Sequence, residues 1–184
     1  MPKHSMNRRQ LLTGLGLALP IVWLGGCNQR ASARSGAGLG EPMEFGRLEL
    51  SDARWREILP APAYRVLRDE GTERAGTSPL DKIYEPGTYV CAGCYLPLFS
   101  SEHKYDSGTG WPSFWQPIHD SHMGTKRDFK LIWPRTEYHC ARCEGHQGHI
   151  FDDGPRPTGQ RWCNNGVALN FIPEGEPLPA LRTV

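Results

Sequence analysis

The stretch CARCEGHQGHIFDDGPRPTGQRWCNN, residues 140–165, holds three of the chain's six cysteines and a His-x-x-His pair. Its apolar runs are short and broken by Gly, Pro and Asp, a texture of strands and turns rather than of helix. Asp152-Asp153-Gly154-Pro155 reads as a turn by composition. Cys140 and Cys143 form a C-x2-C pair, and Cys91 and Cys94 form a second. One such turn offers two thiolates at about the spacing of two corners of a zinc tetrahedron, and two turns close it. Forty-five residues separate the pairs, more than in a compact zinc ribbon, so a structured insert lies between them.

Cysteines of exported proteins commonly form disulfides. Within C-x2-C, however, a disulfide closes a very short loop and stabilises little. A thioredoxin-like redox site wants one such motif in a βαβ setting, and here there are two in β-type surroundings. The pattern therefore predicts one structural zinc ion held by Cys91, Cys94, Cys140 and Cys143, with no open coordination position.

Working outward, Thr88 to Val90, Phe129 to Trp133, Glu137 to His139, His149 to Phe151 and Val167 to Ile172 are strand candidates. Upstream, Ser51-Asp52 with ARWREIL predicts an N-capped helix with Trp55, Ile58 and Leu59 on one face. APAYRVLRDEGTE (61–73) predicts a second helix, with Gly71 as its stop. The fold class is mainly β, with helices first and an antiparallel body after. The chain has 184 residues, 22% charged, with a net charge of +1, enough for one core. That near-neutral balance gives no electrostatic reason to expect nucleic acid as a partner.

The N-terminus reads as a targeting segment. Arg8-Arg9 is a twin-arginine pair, followed by an apolar run of 14 residues from Leu11 to Leu24, broken by Gly14, Gly16 and Pro20. At about 1.5 Å per residue that run is too short for an ordinary bilayer span. Leu24-Gly25-Gly26-Cys27 resembles a bacterial lipobox whose cysteine becomes acylated. The expected organisation is a signal peptide over 1–27, a flexible linker over 28–43 and a catalytic domain over 44–184. The expected location is the periplasmic side of a membrane, with a lipid anchor at Cys27. Translation could start at Met1 or Met6.

Three segments carry unusual chemistry: YDSGTGWPSFWQPI (105–118), CEGHQGHIFDDGP (143–155) and RWCNNGVALNF (161–171). Taking Arg161 to Phe171 as a strand, Arg161, Cys163 and Asn165 share one face. A cation there favours the Cys163 thiolate. Such polar flanks suit a reactive cysteine better than an inert buried one. His146 and His149 would lie on opposite faces of a regular strand, but Gly145 and Gly148 permit a bulge that brings the imidazoles together.

SGTGWPSFWQPI, the 140–165 stretch and the paired C-x2-C motifs together resemble the B-type methionine sulfoxide reductases over most of residues 44–173. The resemblance implies two antiparallel sheets, a structural zinc and reduction of methionine-R-sulfoxide in oxidised proteins. It makes Cys163 the nucleophile. It assigns His146, His149 and Asn165 to binding and protonating the sulfoxide oxygen, Trp111 to the substrate methyl, and Arg161 to the thiolate. Many members carry a second cysteine where this chain has Thr109, and that cysteine resolves the sulfenic acid. The implied consequence is that Cys163 is reset by an external thiol, from a thioredoxin-like or glutaredoxin-like partner; separately, the protein is expected to be a monomer. A zinc-ribbon binding module leaves Cys163, the histidines and Trp111 without purpose, and a general thiol–disulfide exchanger needs an accessible cysteine pair.

Overall fold

The computed structural model describes residues 43–129 and 133–184. The expected signal peptide with Cys27, and the linker up to residue 42, lie outside the described residues.

Helix α1 spans Asp52–Ile58, and the Ser51 side chain caps it by accepting from the Arg54 N–H. Trp55 and Leu59 are buried and Ile58 is half-buried. Helix α2 spans Ala61–Leu67, with Pro62 in its first turn and Ala63, Tyr64, Val66 and Leu67 buried. It ends earlier than Gly71. The left-handed residue is Glu70, and the Gly71 N–H returns to the Arg65 carbonyl at 2.9 Å.

Among the described residues nine strands follow: β1 Gly87–Cys91, β2 Pro97–Ser100, β3 Lys104–Tyr105, β4 Ser113–Phe114, β5 Met123–Asp128, β6 Arg135–Cys140, β7 His146–Phe151, β8 Arg161–Asn164 and β9 Leu169–Pro173. They form a three-stranded sheet ordered β2-β1-β9 and a six-stranded sheet ordered β3-β4-β8-β7-β6-β5. Every pairing is antiparallel, as the sequence predicts.

Aromatic side chains join the sheets. Phe99 of β2 stacks on Phe114 of β4, with ring centroids 4.1 Å apart and 9° between planes. Its ring also meets the edges of Tyr138 on β6 and Trp162 on β8 at 6.1 and 6.3 Å. Each such pair adds about 0.5–1.5 kcal/mol beyond area burial. Because strand side chains alternate, burying Trp162 and Asn164 on the inner face turns Arg161 and Cys163 to the opposite face.

Two sequence expectations need correction. Arg161 to Phe171 is not one strand. β8 ends at Asn164, a 3-10 turn spans Gly166–Ala168, and β9 then joins the other sheet. The Glu73 carboxylate accepts from the Gly166 and Val167 N–H groups, removing two donors from any ladder. Gly166 is also packed so closely that an added Cβ would lie 1.8 Å from Ser78 Oγ. For the same reason Val167 and Ala168 belong to the turn rather than to the strand expected over 167–172. The second correction concerns Phe129 to Trp133. Its described ends lie outside the strands, 71% and 80% exposed, because β5 stops at Asp128 and β6 begins at Arg135.

Candidate functional site

The four paired cysteines meet as two matching turns. Cys91 N–H bonds the Leu96 carbonyl at 2.9 Å and Tyr95 N–H bonds the Cys91 carbonyl at 2.8 Å. In the second turn Cys140 N–H bonds the Gly145 carbonyl at 3.0 Å and Glu144 N–H bonds the Cys140 carbonyl at 2.8 Å. Each turn is reversed by a left-handed residue just after its second cysteine, Tyr95 at φ 65° and Glu144 at φ 58°. All four sulfurs lie within 4.8 Å of one another and are buried. Cys91 Sγ is 3.7 Å from Cys143 Sγ, and Cys94 Sγ is 3.5 Å from Cys140 Sγ. Those separations far exceed a disulfide bond of about 2.05 Å. They match a tetrahedral edge of about 3.8 Å, as Zn–S bonds of about 2.3 Å require. Guanidinium groups reach the surrounding carbonyls, Arg68 at Cys143 (2.8 Å) and Arg142 at Cys94 (3.4 Å), placing positive charge beside the sulfurs. This cluster could hold a metal ion.

A separate cavity of roughly 220 Å³ opens on the outer face of β7 and β8. Trp111, His149, Arg161, Cys163 and Asn165 all line it. His149 and Cys163 are direct cross-strand partners, and Ser113 of β4 opposes Cys163 on the other side. Gly148 permits this approach, since a Cβ there would fall 1.8 Å from the Cys163 carbonyl oxygen.

The expected bulge is present. Consecutive residues Tyr138 and His139 oppose Gly148 and His146, so Gln147 is the extra residue. The two imidazoles consequently sit edge to face, 5.4 Å between centroids. His149 faces the cavity, whereas His146 is 2% exposed and stands behind it, Nδ1 3.1 Å from Glu137 Oε1. Gln147 reaches Cys91 Sγ with its amide at 3.4 Å and accepts two bonds from Asn165 on its backbone carbonyl, each 2.9 Å. The bulge residue thus ties the cysteine cluster to the cavity.

Charges around the cavity are paired. His149 Nε2 lies 2.8 Å from Asp128 Oδ2, which also takes Arg135 Nη2 at 2.7 Å. Burial pushes the His149 imidazole below its ordinary range, against the pull of the Asp128 bond. With Nε2–H donated to Asp128, the neutral ring keeps Nδ1 as an acceptor. Arg161 grips Asp153 through two bonds of 2.8 and 3.0 Å and lies 4.2 Å over the Phe151 ring. Burial pushes the Cys163 thiol up, while the Arg161 charge and hydrogen bonds from Thr109 and Arg161 pull it down. The expected effect of the cation is therefore present but outweighed by burial. Thr109 belongs to a hydroxyl chain in which Ser107 Oγ is 2.8 Å from both Thr109 Oγ1 and Ser113 Oγ.

Sequence reading missed Asp128, Arg135, Thr72 and Glu73. Asp128 and Arg135 are the paired ends of the β5–β6 hairpin, and Thr72 and Arg135 line the cavity. Asp153, read only as a turn residue, anchors Arg161. A carboxylate and a guanidinium at hairpin-closing positions could have flagged the first pair. Thr72 and Glu73 follow the expected helix stop at Gly71, where no periodicity marks them.

Comparison with known proteins agrees with this geometry. The SelR domain family model matches residues 59–173. A peptide methionine sulfoxide reductase MsrB of Leptospira interrogans is 50% identical over 124 residues, 67% of this chain and 95% of that protein. The protein of the same name from Hahella chejuensis is 48% identical over 125 residues, covering 68% and 90%. That of Methanosarcina barkeri is 46% identical over 129 residues, covering 70% and 91%.

Proposed function

Because the chain belongs to the B-type methionine sulfoxide reductase family, we propose that it reduces methionine-R-sulfoxide in oxidised proteins through chemistry at Cys163. The observation that carries this reading is the register of β7 and β8, which sets His149 directly opposite Cys163 in a cavity walled by Trp111.

The proton inventory closes within the site. His149 Nδ1 takes the Cys163 proton as the sulfur attacks the sulfoxide sulfur. A sulfur–sulfur bond forms, the electron pair of the sulfur–oxygen double bond moves onto the oxygen, and the proton passes to that oxygen. Transfer of the resulting hydroxyl to the Cys163 sulfur then breaks the sulfur–sulfur bond, whose electron pair returns to the methionine sulfur, leaving methionine and a sulfenic acid on Cys163. Trp111 offers an aromatic face to the substrate methyl. Asn165 has one amide hydrogen beyond its bond to Gln147 with which to hold the oxygen. Arg161, fixed by Asp153, stabilises the thiolate as it forms. His146 supports His149 from behind, through the ring contact.

Thr109 cannot form a disulfide, so the sulfenic acid is reset by an external thiol. A first thiol forms a mixed disulfide and releases water, and a second frees Cys163. A thioredoxin-like or glutaredoxin-like protein suits this role. The donor set of Cys91, Cys94, Cys140 and Cys143 fits zinc: four thiolates saturate the ion, which would hold two turns together without taking part in the reaction.

The export reading rests on Arg8-Arg9, the short apolar run and the lipobox. On it the mature protein starts at an acylated Cys27, is tethered through residues 28–43, and carries the reductase domain over 44–184 on the periplasmic side of a membrane. Intact mass of the membrane-extracted protein tests this. A chain beginning at Met1 or Met6 and lacking a lipid contradicts it.

The catalytic reading is tested with peptides carrying separated epimers and a dithiol reductant. Consumption of the R epimer alone is expected, and consumption of neither epimer sinks the reading.

A further inference from the structure

Glu73 is 6% exposed and lies where three segments of the cavity wall converge. Its backbone N–H donates to Asn165 Oδ1 at 2.9 Å. Its backbone carbonyl accepts from Trp111 Nε1 at 3.2 Å. Its carboxylate accepts from the Gly166 and Val167 N–H groups, the latter at 3.1 Å. Thr72, beside it, lines the cavity, and Gly76 N–H bonds the Gly110 carbonyl at 2.7 Å, one residue before Trp111.

We propose that Glu73 is a positioning residue of the reductase site, fixing the distance between Trp111 and Asn165 and thereby the preference for one sulfoxide epimer. This rests on the function proposed above. The two epimers of a sulfoxide differ by exchange of groups around one sulfur atom. Discrimination therefore needs the methyl wall and the oxygen donor to be held at a set separation, not merely both present. Trp111 comes from the β3–β4 connection and Asn165 from the β8–β9 connection. They meet on the two main-chain groups that flank a single Cα, a link whose dimensions covalent geometry holds nearly constant. The carboxylate then locks that Cα against the turn following Asn165.

Burial pushes the Glu73 carboxyl above its ordinary range, more than the Gly166 and Val167 N–H groups pull it down.

The experiment compares full-length wild type, Glu73→Gln, Glu73→Ala and Trp111→Phe on R and S sulfoxide peptides. It also follows metal content and the rate of Cys163 alkylation against pH. For Glu73→Ala a fall of about tenfold or more in kcat/KM for the R epimer is expected, together with a narrower R-over-S preference. Metal content and the alkylation profile should stay at wild-type values, which a general loss of structure would not allow. Glu73→Gln, with one acceptor oxygen left, should fall between wild type and alanine. Trp111→Phe keeps an aromatic face, though a smaller one, and removes the N–H; its loss should not add in full to that of Glu73→Ala. Wild-type kcat/KM and epimer preference in Glu73→Ala, or fully additive losses, would overturn the proposal. Should Glu73→Ala fail to fold, Glu73→Gln decides: unchanged preference in a folded Gln variant overturns it. An inactive wild type would instead sink the reductase reading itself.

Discussion

His149 and Cys163 face one another across β7 and β8, flanked in register by Gly148 against Asn164 and Ile150 against Trp162. The imidazole Nε2 lies 2.8 Å from Asp128 Oδ2, which leaves Nδ1 of the neutral ring as an acceptor. On the function proposed above, this pairing supplies the proton transfers that an oxygen shift from sulfur to sulfur requires.

His149→Gln removes that acceptor. General acid–base groups contribute about 10²–10⁴-fold to rate, so kcat should fall by about that factor with metal content unchanged. Steady-state kinetics check it, and a kcat within threefold or so of wild type would contradict the relay.

Arg161→Gln removes the largest influence that lowers the Cys163 thiol, leaving burial less opposed. The pH at which alkylation reaches half its maximum rate should move upward from the wild-type value. An unchanged or downward-shifted profile would show that the Arg161 charge does not reach the sulfur.

Stability should depend on pH through buried imidazoles. Burial lowers His103, His122, His139 and His149 in the folded state. A lowered folded value means that the stability is fully present above the unfolded value of about 6.5 and is lost as pH falls through the folded values. The midpoint of urea unfolding should therefore fall as pH is taken from about 7.5 to 5. A flat midpoint over that window would refute the assignment of these rings as neutral.

Much of this was legible in the sequence, and what was not shares one cause. The two C-x2-C turns are local, so spacing alone identified Cys91, Cys94, Cys140 and Cys143 as one group. Strand alternation placed Arg161 with Cys163, and Gly145 and Gly148 signalled the bulge that brings His146 to His149. Glu73 was illegible because its partners Asn165, Gly166 and Val167 lie more than 90 residues away. The same long-range bonds bend the chain after Asn164, so a run that looked like one strand became two in different sheets. Phe129 to Trp133 read as a strand from its apolar character, yet its described ends carry no pairing between β5 and β6. Local pattern reports what a segment can do, not whether a neighbour is there to pair with it.

Cys91→Ser removes one sulfur from the buried cluster. Breaking such a site should cost about 3 kcal/mol or more, lowering Tm by about 6–12 °C for a domain of this size. Metal analysis should show loss of the ion before any change in Cys163 alkylation. Full metal content in the variant would contradict the ligand assignment.

On the function proposed above, Cys163 takes the sulfoxide oxygen and holds it until a thiol arrives from outside the chain. A single turnover of the reductase domain, without reductant, on one equivalent of a methionine-R-sulfoxide peptide decides this. The predicted result is methionine product with one oxygen retained on Cys163, captured by a sulfenic-acid reagent. In Thr109→Cys, where a thiol replaces the hydroxyl beside Cys163, the same turnover should end in a disulfide with no captured adduct. A quantitative intramolecular disulfide in the wild-type chain, or methionine formed with Cys163 unmodified, would contradict the account.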